Sequence, residues 1–195
     1  MKNLVWILLL IGLSHQDLKS QIYLRNPSFE SDAPQDATMP SSWLGCNMGT
    51  TPDILPGFWG VMQEASDGNN FLGLITRKDG TYEAIAQRLD EPLQPNECYK
   101  IAMDLCYSTK YVGYNHPIVL RIWGGSDRCM REQLFVETDM ITNRDWETFS
   151  FILNTKQSVK FIIFEAYFPN GKSGPYLEGN ILLDHIRSIR SCDRA

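Results

Sequence analysis

Histidine is scarce in this chain, with three among 195 residues. One of them, His15, lies in the leader described below. A histidine-based zinc site would therefore need both His116 and His185 together with a carboxylate. No G-x-S-x-G, H-E-x-x-H or P-loop phrase occurs, which removes the common serine-hydrolase, zinc-protease and nucleotide-binding arrangements. Basic runs are missing too, and the formal net charge is −5, so neither nucleic acid nor an anionic membrane surface is an expected partner. No two cysteines stand close enough in sequence to form a C-x-x-C type metal cage. Beyond the N-terminus no apolar run is long enough to cross a bilayer. Helical periodicity is confined to residues 83–88, too few for a stable helix. Internal repeats, low-complexity tracts and interdomain linkers are also lacking.

What is present begins with a leader. Residues 1–20 carry a positive start at Lys2, an apolar run over 4–13 and a small residue, Ser20, before the expected cut. This is the pattern of a signal peptide. It implies an exported protein, secreted or held at the cell surface or in the periplasm, with residues 21–195 as a single domain and no membrane insertion after cleavage.

All five cysteines, Cys46, Cys98, Cys106, Cys129 and Cys192, lie in that exported part, where disulfides are expected and one thiol is left over. Cys106 falls inside an alternating strand, as a small buried hydrophobe would. Cys98 and Cys192 lie at strand ends, and we pair them with each other and Cys46 with Cys129. Spacing alone leaves other connectivities open.

The remaining signals are strands and turns. Strand-like runs cover 71–76, 82–89, 98–107, 117–123, 133–137, 146–153, 159–168 and 179–189. They are separated by turn chemistry such as Lys78-Asp79-Gly80, a loop over 92–95, Gly124-Gly125 and Asn143-Arg144-Asp145. About nine or ten strands at this spacing predict an all-β protein, a sandwich or barrel. Alternation places Ile118, Leu120 and Ile122 on one face of their strand and Arg121 and Trp123 on the other. Glu165 likewise shares a face with Phe161, Ile163 and Tyr167, and Asp104 opposes Met103 and Leu105.

Several phrases occur in an order that carries a resemblance. Asn26-Pro27-Ser28-Phe29-Glu30 opens the exported chain and Leu182-Leu183-Asp184-His185-Ile186 closes it. Between them come Pro40 with Trp43, the segment Ala65 to Gly73, Gln87-Arg88-Leu89 with Leu93-Gln94-Pro95 and Cys98-Tyr99, and finally Asp145-Trp146-Glu147-Thr148-Phe149. Together they resemble the galactose-binding-like jelly-roll superfamily, which includes many carbohydrate-binding modules. The resemblance implies a β-sandwich jelly roll of two antiparallel sheets. Unlike many such modules, the chain is expected to work without an appended catalytic domain.

The resemblance also implies site residues. Members of the superfamily often hold a structural Ca²⁺, and the matching positions here are Glu30, Asp67 and Asp184, hard oxygen donors of the kind calcium takes. The alternative for Asp184 is a set of loop N–H donors. Sugar rings stack on exposed aromatic faces, and the loop candidates are Trp59, Tyr82, Tyr111 and Tyr114. Arg121 and Glu165 could line a concave sheet face and orient hydroxyls, or pair structurally. The expected function is non-catalytic binding of a polysaccharide or glycan surface, with Trp59, Tyr111, Tyr114, Arg121 and Glu165 in contact. An adhesive surface domain that meets another protein is the alternative from a different class. A small glycoside hydrolase stays open as well, because the separation of its carboxylates is not readable in sequence.

Overall fold

The computed structural model describes residues 21–169 and 178–192; the signal-peptide expectation lies outside them. Among the described residues, thirteen strands run in chain order. The first seven are β1 (Gln21–Ile22), β2 (Leu44–Gly45), β3 (Asp53–Leu55), β4 (Phe71–Thr76), β5 (Ala84–Leu93), β6 (Cys98–Cys106) and β7 (His116–Pro117). The others are β8 (Val119–Gly125), β9 (Gln133–Glu137), β10 (Glu147–Asn154), β11 (Val159–Tyr167), β12 (Gly179–Asp184) and β13 (Ile189–Ser191). Among the described residues there is no α-helix, so none is long and apolar enough to cross a membrane.

The strands form two sheets. An eight-stranded sheet is ordered β1-β13-β6-β12-β4-β3, with β10 beside β6 and β7 beside β12. A five-stranded sheet is ordered β2-β5-β11-β8-β9. Every pairing is antiparallel except the short β7–β12 contact. Because strand side chains alternate between faces, one set from each sheet meets in the middle. Tyr99, Ile101, Met103 and Leu105 of β6 pack there against Leu120 and Ile122 of β8 and Ile162, Phe164 and Ala166 of β11. The result is the expected all-β sandwich.

Two strands depart from expectation for local reasons. β5 continues through Pro92 to Leu93 where a loop is expected, because its register against β11 shifts between Arg88 and Leu93. A bulge there takes the proline out of the ladder, the usual accommodation of proline in a strand. The run 179–189 divides into β12 and β13. Asp184 stands opposite Asp104 and Arg190 opposite Lys100, so this strand uses two more residues than β6 between those points.

Outside the central core, the eight-stranded sheet carries a second apolar cluster. It includes Phe71, Cys106, Leu182, Leu55, Val61 and Tyr111, with Phe58, Tyr114 and Trp146 at its margin. The disulfides pair Cys46 with Cys129 and Cys98 with Cys192, and Cys106 is free and buried, which is the expected pairing.

The bookend phrases have structural reasons. Phe29 is fully buried against Trp43, with ring centroids 5.3 Å apart, and Trp43 continues to Phe164 at 5.7 Å. Glu30 Oε1 accepts the backbone N–H groups of Asn69 and Asn70, each at 2.8 Å. The loop can approach so closely because residue 68 is glycine. Its φ is +69°, and a Cβ there would stand 2.4 Å from Glu30 Oε1.

Candidate functional site

The outer face of the five-stranded sheet carries a group of polar and aromatic residues that alternation leaves unused by the core. Glu165 of β11 stands opposite Arg121 of β8, and Arg121 stands opposite Glu137 of β9. Arg121 Nη1 lies 3.6 Å from Glu165 Oε1, and its Nη2 lies 2.6 Å from Glu137 Oε2. Arg131, from the loop after β8, forms a close ion pair with the other oxygen of Glu165. Glu165 is 2% exposed. A buried carboxylate needs such partners, since an unpaired charge there would be costly.

Aromatic rings frame this cluster. The guanidinium carbon of Arg121 lies 3.2 Å from the ring centroid of Tyr167 and 5.9 Å from that of Trp123. The Arg131 guanidinium is 5.9 Å from the centroid of Tyr82, and its Nη2 donates to Asn47 Oδ1 at 2.8 Å. The Cys46–Cys129 bridge packs with Ala84, Ala86 and Ile163 on the same face. The tied loops therefore cover part of the sheet. A cleft of about 150 Å³ adjoins the cluster, walled by Tyr82, Tyr167, Phe168 and Arg77. The indole N–H of Trp123 is buried and finds no acceptor among the described residues.

The residues expected to act together divide between the two sheets. Arg121 and Glu165 are neighbours, as alternation predicts, but Glu165 is too deeply buried to touch a ligand and instead supplies the counter-charge to two arginines. Trp59, Tyr111 and Tyr114 belong with the eight-stranded sheet. Tyr111 corrects the expectation of an exposed loop platform: it is 1% exposed, in the outer cluster, and its hydroxyl donates to Asp53. Burial and the Asp53 carboxylate push its phenol well above the ordinary value. Tyr114 is half-buried, edge-on to Tyr111 with centroids 6.0 Å apart. Trp59 is 46% exposed at a φ of +54°, but it lies on the outer side of the other sheet. Loop sequence does not reveal which sheet a loop covers. Arg131 is reached by no sequence pattern, since it lies between strands in a loop without periodicity.

The three carboxylates expected to hold calcium are each engaged by hydrogen-bond donors. Asp184 Oδ2 accepts the N–H groups of Ser66 at 2.7 Å and Asp67 at 2.9 Å, and Oδ1 accepts that of His185 at 2.6 Å. Asp67 Oδ2 accepts the Ser28 hydroxyl at 2.7 Å. Glu30 holds the N–H groups of Asn69 and Asn70. Oxygens aimed at N–H hydrogens are poorly disposed toward a cation. No group of three or more His, Cys, Asp or Glu among the described residues is arranged to hold a metal. The alternative of loop N–H donors describes Asp184. Burial pushes its carboxyl up to about 7, against the opposing effect of the N–H groups of Asp67, His185 and Ser66.

No protein-family model matches the chain, and no curated protein matches it in sequence. Solved structures do resemble it. A cyclase from Fischerella sp. TAU superposes with a TM-score of 0.58 at 14% identity, covering 90% of this chain and 98% of that one. The K1 cleaved adhesin domain of Lys-gingipain from Porphyromonas gingivalis W83 gives 0.50 at 13% identity over 86% and 96% of the two chains. The CBM22-1–GH10 modules of a Clostridium thermocellum endo-1,4-beta-D-xylanase, complexed with xylohexaose, give 0.50 at 8% identity over 79% of this chain and 27% of that one. At these identities the likeness is one of fold, the jelly roll that the sequence phrases imply.

Proposed function

We propose that this is an exported carbohydrate-binding domain without chemistry of its own, and that it holds its ligand on the outer face of the five-stranded sheet. The observation that carries the reading is the Arg121–Glu165–Arg131 cluster, in which a buried acid lies between two guanidinium groups beside the rings of Tyr167 and Tyr82, with Arg121 hydrogen-bonded to Glu137 and Arg131 to Asn47. Fixed guanidinium groups present several N–H donors in set directions, which suits ring hydroxyls. Aromatic faces supply apolar area that packs on the C–H face of a sugar. Fold likeness to a xylanase module structure containing xylohexaose is compatible with this assignment and suggests the first ligand to try.

A glycan panel that includes xylohexaose, followed by calorimetry on variants, tests the proposal. Arg131→Ala is expected to weaken binding by about tenfold or more, because a hydrogen bond to a charged group contributes about 1.5–3 kcal/mol, and Tyr82→Ala is expected to weaken it through loss of the ring face that packs on the sugar. Trp59→Ala is expected to bind as the parent does. If the parent binds no glycan in the panel, the adhesive alternative takes precedence, in keeping with fold likeness to an adhesin domain. Release of reducing ends from mixed polysaccharides would point instead to the hydrolase alternative.

A further inference from the structure

The outer face of the eight-stranded sheet holds a second site candidate, formed where β12 and β13 part. The two extra residues between Asp184 and Arg190 leave the ladder around His185, whose φ is +47°. A bulge of this kind bends a strand and re-aims its side chains. Here it borders a groove of about 520 Å³, within the range of small-ligand sites.

The lining is one-sided in charge. Lys100, Arg187 and Arg190 contribute to it, with Ser150, Ser188 and Gln21 as further hydrogen-bonding groups and no carboxylate among the described residues. Lys100 and Arg190 stand directly opposite each other on adjacent antiparallel strands. Both point outward, since their neighbours Ile101 and Ile189 face the core. Like charges in this position oppose sheet pairing. Arg187 is neutralised by Asp104, with Nη1 and Oδ1 2.5 Å apart. Arg190 is held by Ser188, its Nε 3.2 Å from the hydroxyl oxygen. Neither Lys100 nor Arg190 has an ion-pair partner among the described residues, in a chain whose net charge is −5.

We infer that this groove binds an oxyanion carried by a saccharide, a sulfate ester or a uronate carboxylate. Lys100 and Arg190 supply the charge, and the Ser150 and Ser188 hydroxyls hydrogen-bond the sugar. That the anion is carried by a saccharide rests on the carbohydrate-binding reading; the anion site itself rests on the groove. An anion between the two cations removes the repulsion that the empty pair sustains.

The test measures affinity for dextran, dextran sulfate and polygalacturonate at roughly 0.15 M ionic strength, where exposed charges are screened beyond about 8 Å. The parent is expected to bind at least one of the charged polymers about tenfold or more tightly than dextran. The double variant Lys100→Ala/Arg190→Ala should abolish that preference while its melting temperature stays level or rises, because the facing charges are gone. Lys110→Ala/Lys156→Ala, which removes two exposed charges elsewhere, should keep the preference. The inference is overturned if the parent shows no preference, if the groove variant retains it, or if the control pair removes it equally. A fall in melting temperature of the groove variant would count against it too, since the two side chains would then be packing elements. Tyr82→Ala should leave binding of the charged polymers unchanged, so failure of the sheet-face reading shows separately, as unaltered binding of neutral glycans by that variant.

Discussion

Asp184 shows how one side chain can hold a jelly roll together. Its carboxyl is fully buried and accepts three backbone N–H groups, two of them from the loop that Glu30 grips from the other side. Asp184→Asn places an amide N–H against one of those donors, and is expected to cost about 1–3 kcal/mol in urea denaturation. Burial raises the folded carboxyl to about 7 from an ordinary value of 3.8. The folded state therefore binds more protons between those values, and stability should fall as pH rises through the window. The Asn variant should lose this slope, and a parent whose stability rises from pH 4 to 7 would contradict the burial effect. Chelator should leave the parent's melting temperature unchanged, because both oxygens of Asp184 already accept backbone N–H groups. Cys106 is a second isolated case. Burial pushes its thiol up to about 12, so a thiol reagent should modify it only after denaturation.

At the level of strands and loops, the disulfides do the most to confine the chain. Cys98 and Cys192 are separated by 94 positions and join the start of β6 to the end of β13. Removing that bridge should lower stability by up to about 4 kcal/mol in the chain-entropy model, as measured by denaturant unfolding. The strands themselves are largely legible in the sequence because alternation records which face meets the core. Tyr99, Ile101, Met103 and Leu105 announce β6, and Arg121 and Glu165 announce the outer face of their sheet. The bulges are not legible, since register depends on a partner strand that sequence does not identify. That is why β5 extends past its expected end and why the last strand divides at His185. The site is legible in the same uneven way. Strand residues Arg121, Glu165 and Tyr167 fall where alternation puts them. Loop residues Arg131, Trp59 and Tyr111 do not follow, because a loop's docking is decided by the sheet it crosses.

For the whole molecule, two sheets with opposite outer faces provide two surfaces with separate chemistry. One carries arginines around a buried acid among aromatic rings, and the other a cationic groove beside a bulge. The central claim is that glycan contact is made on the five-stranded sheet, and chemical-shift mapping during titration with the best-binding neutral oligosaccharide tests it most directly. Shifts should concentrate at Tyr82, Arg121, Arg131 and Tyr167, with the backbone around Trp59 and Tyr114 unmoved. Shifts concentrated at Trp59 and Tyr114, with Arg121 and Arg131 silent, would contradict it.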